Sequence, residues 1–169
     1  MKKFIYLLIA SVAIAFVACN DDKEDTASEW AKANEEAYAE RKAAPPLWQP
    51  IVSPSYTGPT GVYRRVIKEG PKGTEHPIQT AEVKIHYRGW FYNGTEFDPG
   101  TSLSGIPRSF RVNEVVRGFG VALQNMVVGD KWEICIPWFL GYGASNSGSI
   151  RGYSTLFFEI ELLEINQYP

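Results

Sequence analysis

From Gly61 onward, apolar residues recur mainly at every second position. Along Ala81–Tyr92, Val83, Ile85, Tyr87 and Phe91 share one side, and Lys84, His86, Arg88 and Trp90 share the other. That period of two predicts a half-buried β-strand. Gly61–Gly70 alternates in the same way. So does K-W-E-I-C-I-P (131–137), where Trp132, Ile134 and Ile136 share a face. In T-L-F-F-E-I-E-L-L-E-I (155–165), Leu156, Phe158, Ile160 and Leu162 oppose Phe157, Glu159 and Glu161. Asn93-Gly94 predicts a hairpin turn, after which T-E-F-D resumes the strand, and R-S-F-R-V-N (108–113) predicts a short one. Thr101–Pro107 and Trp138–Ser154 carry no period and read as loops. One stretch breaks the alternation. Over Asn113–Met126, Phe119, Ala122, Leu123 and Met126 fall at three- and four-residue steps, which predicts a short helix with one apolar stripe. One such helix among about five strands predicts an α+β domain, an antiparallel half-barrel folded around the helix. Val115 and Val116 lead into that helix, so an apolar pocket is expected where they meet Phe119.

The chain ahead of this domain follows other rules. Met1-Lys2-Lys3 and the apolar run Phe4–Ala18 read as a signal peptide, shorter than a comfortable membrane span. The run ends in Ala18-Cys19 and resembles the lipobox of bacterial lipoproteins, although Phe16 stands where an aliphatic residue is usual. Lipidation of Cys19 is therefore expected, with an ordinary secretory cleavage near Ala18 as the alternative. Asp21-Asp22-Lys23-Glu24-Asp25 reads as a solvated tether and is similar to the acidic export tags of surface lipoproteins. Thr26–Ala44, rich in Ala, Glu and Lys, predicts a helix that Thr26 or Ser28 caps and Pro45-Pro46 end. Its narrow stripe of Trp30, Ala33, Ala37 and Tyr38 leaves three roles open: docking on the domain, pairing with a second copy, or standing as a stalk. Five prolines between Pro45 and Pro59 predict a stiff spacer. The expected division is thus 1–18 signal, 19–60 tether, helix and linker, and 61–169 globular domain.

Composition narrows the chemistry. A formal charge of −2 without clustered Lys or Arg gives no nucleic-acid face. Cys135 lies inside a strand pattern as a small hydrophobe, and with Cys19 lipidated no disulfide is expected. His76 and His86 have no partner at metal-ligand spacing. No G-x-S-x-G elbow is present, and G-F-G lacks the last glycine of a phosphate loop. No cofactor is expected. What remains is a set of aromatic and aliphatic residues at inward positions or strand corners: Tyr87, Phe97, Val115, Val116, Phe119, Tyr142 and Phe158. Asp98, at a strand end, and Tyr142, in a glycine-flanked loop, are the two of this region that core packing does not account for.

The segments V-K-I-H-Y-R-G, T-E-F-D, N-E-V-V-R-G-F, I-C-I-P, G-Y-G-A and T-L-F-F-E-I-E-L-L, in this order, resemble an FKBP-type peptidyl-prolyl isomerase domain over about 61–165. The resemblance implies an FKBP-like half-barrel of five to six antiparallel strands around one short helix, binding proline between helix and sheet. It also implies roles. Tyr87 and Phe158 would be walls, and Phe97 and Asp98 a wall ring and a polar acceptor. Val115 and Val116 would form the helix-entry pair, with the Val116 N–H binding a peptide carbonyl. Phe119 would be the floor, Tyr142 the loop hydroxyl that grips the ligand, and Ile150 the aliphatic residue of that loop. Glu114 would contribute through its backbone. Implied partners are proline-containing polypeptides and macrolide immunosuppressant-type inhibitors, with the membrane reached only through the N-terminal lipid. The implied setting is the bacterial cell envelope, on the periplasmic or outer face, and the implied task is the folding of exported proteins. A non-catalytic proline-peptide-binding or chaperone module on the same fold is the alternative. Two departures stand out. The floor is Phe119 where the family has tryptophan, and no arginine follows F-D closely, leaving Arg108 or Arg111 to replace it.

Overall fold

The structure, a computed structural model, describes residues 26–53, 58–71, 75–100 and 105–167. The signal segment, the acidic run and Cys19 lie outside these residues. The first helix, α1 (Ala27–Lys42), starts in a capping box. The Thr26 hydroxyl accepts the Glu29 N–H at 3.3 Å, and the Glu29 carboxylate accepts the Thr26 N–H at 2.9 Å. Of the three roles left open for it, this helix takes the first and docks on the sheet. Trp30 and Ala37 are buried, and the Trp30 indole N–H donates to the Ser154 hydroxyl at 3.2 Å. Asn34, fully buried, accepts the Thr155 N–H at 2.8 Å through Oδ1, and its carbonyl accepts the Thr155 hydroxyl at 2.9 Å.

The proline-rich segment differs from its expected role as a spacer. Within it, β1 (Gln49–Val52) pairs antiparallel with β2 (Pro59–Lys68), and Trp48 and Ile51 are buried. Pro50 is tolerated because β1 is an edge strand, where a missing N–H leaves no ladder bond unmade. The globular unit therefore takes in residues well before Gly61. The remaining strands are β3 (Glu82–Trp90), β4 (Glu96–Asp98), β5 (Arg108–Arg111), β6 (Lys131–Ile136) and β7 (Leu156–Asn166). They form one antiparallel sheet in the order β1-β2-β6-β7-β3-β4, with β5 also on β3. Seven strands replace the expected five or six because β1 joins the edge and the hairpin arm β4 pairs over three residues.

The alternation seen in sequence sorts into two faces. Val83, Ile85, Tyr87, Ile134, Ile136, Leu156, Phe158, Ile160 and Leu162 pack with α2 (Arg117–Leu123) in the main core. Phe119, Ala122, Leu123 and Met126 are all buried there, as their spacing predicts. Tyr63, Cys135 and Phe157 form a second cluster on the opposite face, with Ala37 of α1 and Trp48. Gly118 lets α2 approach the sheet: a Cβ there would lie 2.4 Å from Ile136 Cγ2.

Candidate active site

A cavity of about 230 Å³ opens where α2 begins, bounded by Val115, Val116 and Phe119 on the helix side. Tyr87 and Phe158 supply the sheet side, from the neighbouring strands β3 and β7. Phe119 closes the bottom edge-on to both, with ring centroids 6.2 Å from Tyr87 and 4.9 Å from Phe158. Gly89, the glycine of H-Y-R-G, makes room for this packing. A Cβ at Gly89 would sit 2.7 Å from Phe158 and 2.8 Å from Phe97.

The polar groups at the rim are tied to one another. The Tyr87 hydroxyl donates to Asp98 Oδ2 at 2.8 Å and accepts from Arg108 Nη1 at 3.1 Å. Asp98 Oδ1 accepts the Gly100 N–H at 2.9 Å. Gly100 has φ +57°, and a Cβ there would lie 1.9 Å from the Tyr87 carbonyl oxygen, so only glycine lets the chain close over Asp98. Of the two arginines expected as partners of the aspartate, Arg108 reaches Asp98 only through the Tyr87 hydroxyl that both of them contact. Burial, then the Asp98 hydrogen bond and charge, push the Tyr87 hydroxyl up to about 12 despite the Arg108 cation. Burial and the Asp98 charge also push Tyr142 up. Both tyrosines are therefore neutral donors at ordinary pH.

Two residues that line this cavity carry donors without a partner among the described residues. Val116 is the N-cap of α2, with φ −57° and ψ 146°. Its carbonyl accepts the N–H groups of Phe119 and Gly120, whereas its own N–H bonds nothing. Tyr142, 43 % exposed, also lines the cavity, and its hydroxyl has no partner among the described residues.

Of the nine expected pocket residues, Tyr87, Asp98, Val115, Val116, Phe119, Tyr142 and Phe158 border the cavity, joined by Glu114. Phe97 and Ile150 stand back from its wall. Phe97 packs edge-on behind Phe158 at 5.4 Å, and Ile150 is buried in the main core. Phe110, which sequence reasoning passed over, lines the cavity and meets Tyr87 edge-on at 5.4 Å. The signal available for it was one ring in a short strand, four residues ahead of Glu114. Among the described residues, no group of His, Cys, Asp and Glu is arranged to hold a metal. The cavity offers binding and exclusion of water, with neutral donors and no proton-transfer pair.

Sheet, inner helix and aromatic cleft together define the FKBP-like half-barrel class. The family described as FKBP-type peptidyl-prolyl cis-trans isomerase matches residues 73–163. The chain is 45 % identical over 107 residues to the FKBP-type 22 kDa peptidyl-prolyl cis-trans isomerase of Escherichia coli, covering 63 % of this chain and 50 % of that one. It is 34 % identical over 110 residues to the Outer membrane protein MIP of Legionella longbeachae, covering 64 % and 46 %. A crystal structure of a peptidyl-prolyl cis-trans isomerase from Pseudomonas syringae superposes with a TM-score of 0.70 at 30 % identity, covering 83 % of this chain and 96 % of that one. This chain belongs to the FKBP-type peptidyl-prolyl cis-trans isomerase family. It spans about half the length of the curated relatives it matches.

Proposed function

We propose that this protein is a peptidyl-prolyl cis-trans isomerase that assists the folding of exported polypeptides at the cell envelope. The observation that carries this reading is the aromatic cavity lined by two residues whose donors, the Val116 N–H and the Tyr142 hydroxyl, have no partner among the described residues. An X–Pro bond interconverts across about 20 kcal/mol because resonance keeps the amide planar. Water favours the charge-separated planar form. A cavity walled by Tyr87, Phe119 and Phe158 removes that water, so the twisted transition state loses less than the ground state. The Val116 N–H and the Tyr142 hydroxyl hold flanking carbonyls while the bond turns. The Arg108–Tyr87–Asp98 chain fixes the wall ring beside it. Lowering the barrier by about 5–7 kcal/mol corresponds to about 10⁴- to 10⁵-fold acceleration. No proton transfer is needed.

Cis-to-trans rates of an X–Pro peptide test this directly. The expected result is a wild-type rate well above buffer, reduced in Tyr142→Phe and Asp98→Ala. A wild-type rate equal to buffer, with the peptide still bound, would instead establish the non-catalytic proline-binding alternative. The floor at Phe119 lacks an indole N–H, which is the feature that favours that alternative. Macrolide-type inhibitors would compete for the same cavity.

The envelope setting is supported by the apolar run 4–18, by Ala18-Cys19 and by the relative named an outer membrane protein. In this reading Cys19 carries the lipid. Incorporation of labelled palmitate should disappear in Cys19→Ala, and persistent labelling would refute the anchor.

A further inference from the structure

A second groove of about 420 Å³ runs along α2 and shares Val115 with the aromatic cavity. Its lining is mixed: Val112, Val115 and Val121 supply apolar surface, and Gly120 lets the helix lie close to the Val112 carbonyl, 2.9 Å from where a Cβ would stand. Its polar lining is three carboxamides, Gln79, Asn113 and Gln124, together with Ser53 and Arg117. Gln124 donates from Nε2 to the Gly120 carbonyl at 3.1 Å, which leaves its Oε1 free to accept. The side chains of Gln79 and Asn113, both exposed, make no hydrogen bond among the described residues.

We propose that this groove is an extension of the substrate site that holds the backbone of an extended polypeptide beside the proline. The proposal rests on the isomerase reading of the cavity and adds a substrate class to it: unfolded chain of some length, as opposed to a short X–Pro unit. The occupant follows from continuity and chemistry. A chain seated in the aromatic cavity passes Val115 on one side and enters the groove. A carboxamide offers a donor and an acceptor on one planar group, which matches peptide N–H and C=O groups whatever side chains they carry. The recognition is therefore of backbone and tolerates sequence. The length required follows from the helix. From Val116 to Gln124 the axis rises about 12 Å, the span of about four extended residues.

The test compares kcat/KM on three peptides with the same X–Pro centre. One is short, one is extended by four residues before the centre, and one is extended by four residues after it. One of the two extensions should raise kcat/KM about 10-fold, the effect of roughly two hydrogen bonds. In the double variant Gln79→Ala/Gln124→Ala the ratio of extended to short peptide should fall towards one. The gain should persist at raised salt, because amide contacts are unscreened, unlike attraction between charges. Equal rates on all three peptides overturn the groove assignment, and so does a gain that survives the double variant. If the wild type turns over no peptide, the isomerase reading fails separately. Fluorescence anisotropy then decides the groove: tighter binding of the extended peptide, lost in the double variant, supports it, and equal binding refutes it.

Discussion

Tyr87 is held at four points. Its ring lies edge-on to Phe110 and Phe119, and its hydroxyl bridges Asp98 and Arg108. Its raised value near 12 means that the neutral hydroxyl stabilises the folded state below the ordinary tyrosine value of 10. That contribution is lost as pH rises through about 12. Burial and the Asp98 charge raise Tyr142 as well, so it is protonated up to the ordinary tyrosine value of 10. No other titrating group is asked to change its charge during the reaction. The rate profile of kcat/KM should therefore be flat from neutral pH to about 10, and a break near neutrality would contradict the assignment of neutral donors. Tyr142 also separates binding from folding. Its hydroxyl has no internal partner, so Tyr142→Phe should leave the melting temperature unchanged to within the effect of about 0.5 kcal/mol. The same change should lower kcat/KM about 5- to 10-fold, the effect of one hydrogen bond of about 1–1.5 kcal/mol. Thermal unfolding and peptide kinetics on one preparation check both halves.

At the scale of elements, β3, β6, β7 and α2 were legible because each buries one face over at least six residues, long enough for a period to show. The strand β1 was not. Four residues with a proline among them have no period, and only pairing with β2 makes them a strand. The site divides in the same way. Tyr87 and Phe158 were legible as inward positions of long strands. The place of Phe110 depends on β5 pairing with β3, and the choice of Arg108 over Arg111 depends on which side of that short strand faces Tyr87. Neither relation is local. Phe97 and Ile150, read as wall residues, pack behind the cavity lining, Phe97 edge-on to Phe158 and Ile150 in the main core. The docking of α1 was one of three roles the stripe left open, and what decides it is the buried Asn34, a polar residue beside that stripe. Replacing Asn34 by Ala removes its side-chain bonds to the Thr155 N–H and the Trp30 carbonyl. It leaves a buried donor unmet, at a cost of about 2–3 kcal/mol. Chemical denaturation should show that loss. In a Cys19→Ser background, a thiol reagent should reach Cys135 faster in Asn34→Ala than with Asn34 intact. Cys135 is fully buried in the cluster that α1 covers, and burial holds its thiol well above the ordinary range. Unchanged stability together with unchanged thiol protection would show that α1 is not held by this residue.

At the scale of the molecule, the helix ahead of the sheet is a lid on its outer face, not a stalk, and this sets how far the domain stands from its anchor. If Cys19 carries the lipid as proposed, the seven residues from Cys19 to Thr26 could span at most about 25 Å. Fold, aromatic cavity and neutral donors support the proposed isomerase activity on X–Pro bonds. The most direct measurement is the refolding of a substrate protein whose slow phase is one prolyl isomerisation, followed in the presence of increasing amounts of this protein. The slow phase should accelerate in proportion to the amount added, and Asp98→Ala, which cuts the hydrogen bond holding Tyr87, should accelerate it less. A slow phase that stays at its uncatalysed rate while the substrate demonstrably binds would contradict the account.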